Sequence, residues 1–287
     1  MIWQLKTQAY NFDVWDWKPL LVGVVNVTPD SFSDGRRFFD PEQAIKHGLH
    51  LLEIGADFLD VGGESTRPGS DPVSTEEELR RVIPVISALV RKTNGNGVIS
   101  IDTTKAAVAR EAIAAGAEIV NDISACTFDP EMVDVLRDTG AAVCLMHIQG
   151  MPKTMQTCPV YPGDNPVPVV LDFLRKRIAV LVSGGIARDK IIIDPGLGFG
   201  KTYEHNCRLI REIARFHDLG RPVLVGHSRK SFLEAMYPDL DREAATAELS
   251  RYLVSQGVQI LRVHEVSTKI LSSMRMEKTL VFSEYLC

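Results

Sequence analysis

No CxxC pair occurs in the chain, and its five cysteines, Cys126, Cys144, Cys158, Cys207 and Cys287, are odd in number and far apart. That pattern suggests neither a zinc ribbon nor a disulfide framework, and it points to a reduced, cytoplasmic protein. No apolar run is long enough to span a bilayer, and residues 1–17 hold no apolar core of signal-peptide length. Basic residues form no stripe, so at a net charge of -5 there is no electrostatic footprint for nucleic acid. A GxGxxG turn after the first main strand is missing, as are Ser-His-Asp or Cys-His sets at recognisable spacing and a carboxylate–histidine set suited to a tight zinc site. GLGFGK at 196–201 is rich in glycine but lacks the GK[ST] ending of a Walker A loop. It reads as a strand-to-helix turn, with Phe199 available to line a pocket.

What is present is a repeated unit. Residues 20–35, LLVGVVNVTPDSFSDG, begin as a β-branched run of the kind buried on both faces. They turn polar at Asn26, where Pro29 excludes a helix and Gly35 permits a sharp turn. Similar apolar runs at 58–61, 98–101, 119–120, 141–146, 191–193, 223–225 and 260–261 each end in hydrogen-bonding groups and each lead into a helical pattern. Asp40-Pro41 predicts one helix start, with Ile45, Leu49 and Leu52 as its buried stripe; Ser74 to Glu77 reads as a capping box; Asp129-Pro130 predicts another start. Helices are expected over 105–115, 169–182, 203–216, 244–255 and 268–278, and five prolines in 149–168 predict an irregular loop. Eight strands alternating with helices over this length predict one α/β domain spanning 1–287, a (β/α)8 TIM barrel. Residues 1–19, which carry Trp3, Trp15 and Trp17, are expected to form an N-terminal hairpin covering one end of its core.

In such a barrel the active site lies at the carboxyl ends of the strands. Those ends supply Asn26, Asp60, Asp102, Asn121, His147, Asp194, Lys230, Arg262 and His264. Taken singly, each has a plain structural reading: Asp102 could cap the helix after it, Asn121 could close a turn, and His147 and His227 suit buried, satisfied histidines. Taken together they divide by chemistry. Asp102, Asn121 and Asp194 suit the edge of a heterocycle that presents ring N–H and amino groups. Arg67, Lys230, Arg262 and His264 suit an anion. A small-molecule substrate carrying both features is implied.

The ordered pieces resemble the dihydropteroate synthase family: GVVNVTPDSFSDG at 23–35, DVGGESTRPGS at 60–70, SIDTTK at 100–105, NDIS at 121–124, LMHIQGMPKTMQ at 145–156, DPGLGFGKTYEHN at 194–206, GHSRKSF at 226–232 and RVHEV at 262–266. The resemblance covers about residues 20–270. It implies joining of 7,8-dihydropterin pyrophosphate to p-aminobenzoate, with release of pyrophosphate, in folate biosynthesis, by a Mg2+-requiring homodimer that sulfonamides inhibit. Carried over position by position, it places Asp102, Asn121, Ile123, Met146, Asp194, Phe199 and Lys230 around the pterin. Asn26, Arg67, Arg262 and His264 fall at the pyrophosphate, with Asn26 also at the metal. Phe32, Thr66, Arg67, Pro68, Lys230 and Ser231 fall at p-aminobenzoate, and Asp34 beside the reacting methylene. Two departures stand near the seventh strand: Leu233-Glu234 where the family often has Ile-Gly, and His227 where it has an apolar or small residue. A methyltetrahydrofolate corrinoid methyltransferase-like barrel would share the pterin positions but not the STRPG and SRKS loops. A catalytically silent pterin-binding paralogue would be expected to lack Asp34, Arg67 or His264, and all three are here.

Overall fold

A short antiparallel hairpin, β1 (Ile2–Gln4) and β2 (Ala9–Asn11), precedes the main sheet. The computed structural model describes residues 1–13, 18–28, 40–94, 97–267 and 270. The main strands are β3 (Leu20–Asn26), β4 (Phe58–Gly62), β5 (Val98–Asp102), β6 (Ile119–Asp122), β7 (Ala142–Met146), β8 (Ile191–Asp194), β9 (Leu224–Gly226) and β10 (Ile260–Val263). All eight are parallel and pair in the order β8-β7-β6-β5-β4-β3-β10-β9. A single parallel bridge, Ile193 to Val223, joins the two end strands and closes the barrel.

The helices between them are α1 (Pro41–Glu53), α2 (Thr75–Lys92), α3 (Ala106–Ala114), α4 (Met132–Thr139), α5 (Pro166–Ser183), α6 (Tyr203–Arg211), α7 (Phe232–Met236) and α8 (Arg242–Ser255). None among the described residues is long and apolar enough to cross a membrane. Their starts follow from local chemistry. Asp40 accepts from the Glu42 N–H, Asn165 from Val167 and Asp241 from Ala244, each satisfying a backbone donor that the first turn leaves free.

Four expectations need correction. Ser74 accepts from Glu77 N–H at 3.2 Å, but the Glu77 carboxylate turns to Arg80 and Arg81, so only the serine half of the box forms. The fourth helix starts at Met132, because Asp129 divides its oxygens between Glu131 N–H and the Ala106 N–H that opens α3. In α1 the fully buried residues are Ala44, Ile45, Gly48 and Leu51; Leu49 and Leu52 flank that stripe and are half-buried. The pattern after β8 also breaks, α6 stopping at Arg211 and a 3-10 segment, Ile213–Leu219, continuing. The closing helix expected over 268–278 lies almost wholly outside the described residues, as do Trp15 and Trp17.

Two layers of core result. Inside the barrel, Val22, Phe58, Val98, Ile119, Cys144, Ile192, Leu224 and Ile260 point at one another, and Trp3, Leu5 and Phe12 of the hairpin close the amino-terminal end. Trp3 lies against Phe58 with ring centroids 5.8 Å apart. Lys6 and Thr7 N–H groups donate to Glu118 at 2.8 and 2.9 Å, tying the hairpin down. The hairpin closes one end in this way, and at the other, carboxyl end β10, β4, β5 and β6 deliver Arg262, Asp60, Asp102 and Asn121.

Candidate active site

Arg262, on β10, stands at the centre of that end. Its Nε donates to Asp60 Oδ2 at 2.7 Å and its Nη2 to Asp102 Oδ2 at 2.8 Å. Asp60 also accepts from Asn121 Nδ2 at 2.8 Å. That bond fixes the amide, leaving its Oδ1 as the acceptor free for a ligand. The strand registers explain the meeting: Asp60 pairs with Ser100 across β4 and β5, and Asp102 pairs with Asn121 across β5 and β6. Burial pushes the Asp102 carboxyl up to about 7 against the pull of the Arg262 guanidinium, with Asp60 adding to the rise. Burial also works against the Arg262 charge, yet Asp60 and Asp102 outweigh it and hold its proton more tightly than usual. Asp60 was legible only as one strand end among many; here it orients both Asn121 and Arg262. Its second oxygen has no partner and belongs to a cavity of about 10 Å³ lined also by Ser100 and Cys144, room for about one water.

The opposite side is built by the loop after β8. Asp194 is buried, and its Oδ1 accepts from Gly196 N–H at 2.7 Å. Burial raises its pKa despite the nearby Lys230 charge. Lys230 lies over the Phe199 ring, 4.6 Å from its centroid, and donates to the Leu197 carbonyl. Burial lowers Lys230 to about 8, with Asp194 opposing and Arg262 assisting. Glycine is required at two points of this loop. A Cβ on Gly196 would stand 2.0 Å from the His147 carbonyl oxygen, one on Gly200 2.4 Å from that of Gln149, and both have positive φ.

Lys201, which the sequence reading left as the end of a turn, is buried there. Its Nζ reaches His147 Nδ1 at 3.0 Å and the Phe199 carbonyl at 2.9 Å. Burial pushes its pKa well down and, with Lys201 beside it, pushes His147 down to about 2, so His147 is neutral and accepts at Nδ1. Two separate loops are thereby joined behind the slot. His227 is buried as well; its Nε2 meets Ser250 Oγ at 2.8 Å and the Thr246 carbonyl at 3.2 Å. The departure at this position thus ties β9 to α8.

The remaining candidates surround this centre. Ile123 and Met146 are buried at the ends of β6 and β7, and Asn26 is half-buried at the end of β3. Arg67 and Pro68 are exposed and Thr66 is half-buried in the loop after β4; Ser231 is exposed just before α7. His264 is lowered to about 3, by burial first and then by Arg262, Arg229, Arg67 and Lys230, so four cations converge on a neutral imidazole. Phe32 and Asp34 lie outside the described residues. Acceptors and cations thus alternate around one mouth, Arg262 between Asp60 and Asp102 and Lys230 near Asp194.

A family model described as "Pterin binding enzyme" matches residues 22–264, and the chain belongs to that class. Dihydropteroate synthase of Escherichia coli strain K12 is 42% identical over 268 residues, 93% of each chain. The Yersinia pestis dihydropteroate synthase solved with a sulfonamide drug superposes with a TM-score of 0.86 at 38% identity, covering 96% of this chain and 97% of that one. The Xanthomonas albilineans enzyme with 4-aminobenzoic acid superposes with a TM-score of 0.83 at 41% identity, covering 93% of each, and it has also been solved with 7,8-dihydropteroate. Within the pterin-binding class, the chain is a member of the dihydropteroate synthase family of transferases.

Proposed function

We propose that this barrel condenses 7,8-dihydropterin pyrophosphate with p-aminobenzoate, giving 7,8-dihydropteroate and pyrophosphate. The observation that carries the reading is the single mouth in which Asn121 and Asp194 acceptors face Lys230, Arg262 and His264. Related enzymes solved with 4-aminobenzoic acid and with 7,8-dihydropteroate support it.

The pterin's amino and ring N–H groups would donate to Asp194 and Asn121, with Asp102 alongside, between Ile123, Met146 and Phe199. Lys230 would donate to the ring's acceptors. Arg262, His264 and Arg67 would receive the pyrophosphate. As its C–O bond breaks, both electrons leave with the pyrophosphate and the electron-rich ring delocalises the cation, so no protein nucleophile is needed. Arg262 would counter the charge growing on the departing oxygens. The amine of p-aminobenzoate, held by Phe32, Thr66, Pro68, Lys230 and Ser231, then bonds to the methylene and loses a proton. Asp34 would stabilise the cation meanwhile.

Among the described residues no group of three His, Cys, Asp or Glu is placed to hold a metal. Mg2+ takes few protein ligands beside phosphate oxygens; the amide oxygen of Asn26, at the end of β3, would hold it, and when bound it would withdraw charge from the pyrophosphate. The reading extends to a homodimer in the cytoplasm, as the family resemblance implies.

Pyrophosphate release from the purified protein tests this. Release should require p-aminobenzoate, yield dihydropteroate and be suppressed by a sulfonamide at low p-aminobenzoate. Pterin binding with no turnover would reject it. A pH profile gives an independent check. Asp102 gains its charge as pH rises through about 7, and Lys230 loses its charge as pH rises through about 8. kcat/KM for the pterin substrate should therefore be bell-shaped, with its maximum between those values. A profile that stays flat from about one unit below to about one unit above that interval would remove both groups from the rate-determining charge state.

A further inference from the structure

The loop after β4 carries Thr66, Arg67 and Pro68, and its neck is closed by a partly buried ionic group that the reaction itself does not use. Glu64 Oε2 accepts from Val73 N–H at 2.9 Å, joining the two ends of the loop across nine positions. The same oxygen accepts from Lys105 Nζ at 2.7 Å, and Lys105 Nζ also donates to Glu78 Oε2 at 2.5 Å. Lys105 comes from the start of α3, Glu78 from α2 and Glu64 from the loop, so three elements meet at one ammonium. The Glu78 side chain is 1% exposed. Burial works against the Lys105 charge, but Glu64 and Glu78 together hold its proton more tightly than usual. Below them the backbone is pressed onto α2: a Cβ on Gly63 would stand 2.7 Å from Val82 Cγ1, and the Gly63 carbonyl accepts from Arg81 Nη1 at 2.9 Å.

The tip of the loop is held far more weakly. Its ties to the loop after β7 are Gly69 N–H to the Pro152 carbonyl at 3.2 Å and an ion pair between Asp71 and Lys153. Those two side chains are 78% and 62% exposed, and exposed pairs of this kind contribute little. Within the tip, Ser70 Oγ shares its proton between the Ser65 and Arg67 carbonyls, 2.6 Å from each, and fixes the local turn. The charge-assisted bonds at the partly buried neck are stronger than the exposed pair and tie that turn to α2 and α3.

We propose that Lys105, acting through Glu64 and Glu78, is a positioning residue for the aryl-amine substrate: it holds the neck from which the Thr66–Arg67–Pro68 segment reaches the site. The proposal rests on the synthase reading, in which that segment contacts p-aminobenzoate. It makes a selective demand. The walls of the pterin slot come from β5, β6 and β8, whereas Arg67 also stands at the proposed pyrophosphate site. Loosening the neck should therefore weaken p-aminobenzoate and the pyrophosphate end of the other substrate and spare binding of a pterin that carries no pyrophosphate.

Glu64→Gln is the informative change, since its amide oxygen still accepts from Val73 N–H while the ion pair to Lys105 is lost. KM for p-aminobenzoate should rise about tenfold, the effect of one charge-assisted hydrogen bond. Direct binding of a pterin without the pyrophosphate should stay within about twofold of the parent protein. Lys105→Met should raise KM for p-aminobenzoate likewise, whereas Lys105→Arg, which keeps the charge, should raise it less. An equal loss of that pterin binding, or no rise in KM for p-aminobenzoate, would overturn the proposal. Hydrogen exchange over residues 65–72 reads the clamp without turnover: it should quicken in Glu64→Gln, and unchanged exchange there would also overturn it. If the parent protein lacks synthase activity while the exchange difference is present, the functional reading fails and the clamp does not.

Discussion

Arg262→Met should lose about a hundred- to a thousand-fold in kcat/KM and about 3–5 kcal/mol of stability in the same variant. The two losses have different causes. The kinetic one follows from removing the group that would counter charge on the departing pyrophosphate. The stability loss comes from what remains: the Asp60 and Asp102 carboxyls, whose side chains are 1% and 10% exposed, lose the guanidinium that bridged them. Arg262→Lys should recover little, because a single ammonium cannot reproduce a fork that donates to two carboxylates on different strands. The pH dependence separates burial of charge from lost packing. The folded-state pKa of Asp102 is already above the ordinary carboxylate value, and removal of Arg262 raises it further. A raised carboxyl destabilises the fold above its unfolded pKa and ceases to do so once protonated, so the deficit of the variant should shrink as pH falls from 8 towards 5. Urea titrations at several pH values measure this. A deficit that is constant with pH would mean that lost packing is responsible.

How far these features were visible beforehand depends on where the partners lie along the chain. The barrel was legible because each strand–helix unit is written locally: an apolar run, a polar end, a capping residue. Asp102, Asn121, Asp194, Lys230 and Arg262 were legible as strand ends for the same reason. The Arg262 bonds were not, since they span 202 and 160 positions and depend on β10 closing next to β3. Asp60 showed its residue type and its place, but its role as orienter of Asn121 comes from the register of three strands. Lys201 and Glu78 illustrate the stronger limit. A charged residue in a turn or in the first turn of a helix reads as solvated, and only tertiary packing reveals that it is buried. The Leu49 and Leu52 stripe of α1 failed more mildly, as the helix turned so that Gly48 faces Leu59 and Leu89. The helical pattern over 203–216 missed its break because a 3-10 segment preserves much of the same apolar spacing.

Asp194→Asn should sharply reduce catalysis and at the same time leave the protein as stable as before or more so. The side chain is buried at the end of β8, and its one hydrogen bond to protein accepts from Gly196 N–H, which an amide oxygen can also do. Burial raises its pKa more than Lys230 and the Gly196 amide lower it. With the folded pKa above the unfolded one, the ionised group destabilises the fold at every pH above its unfolded value; a neutral amide of the same shape removes that effect at pH 7 and changes nothing in acid. Function should respond in the opposite sense. A carboxylate can accept from two donors of a heterocycle edge, whereas Asn turns an N–H group towards one of them and exchanges attraction for repulsion. Affinity for the pterin should fall about a hundredfold or more, as it does when a buried polar contact is mismatched. Thermal unfolding at pH 7 together with pterin titration tests both halves. A variant that melts well below the parent protein would show that the carboxylate is held for stability, while unchanged pterin affinity would remove Asp194 from the heterocycle site. The combination expected, weaker binding in a protein no less stable, is the signature of a charge kept buried for its ligand.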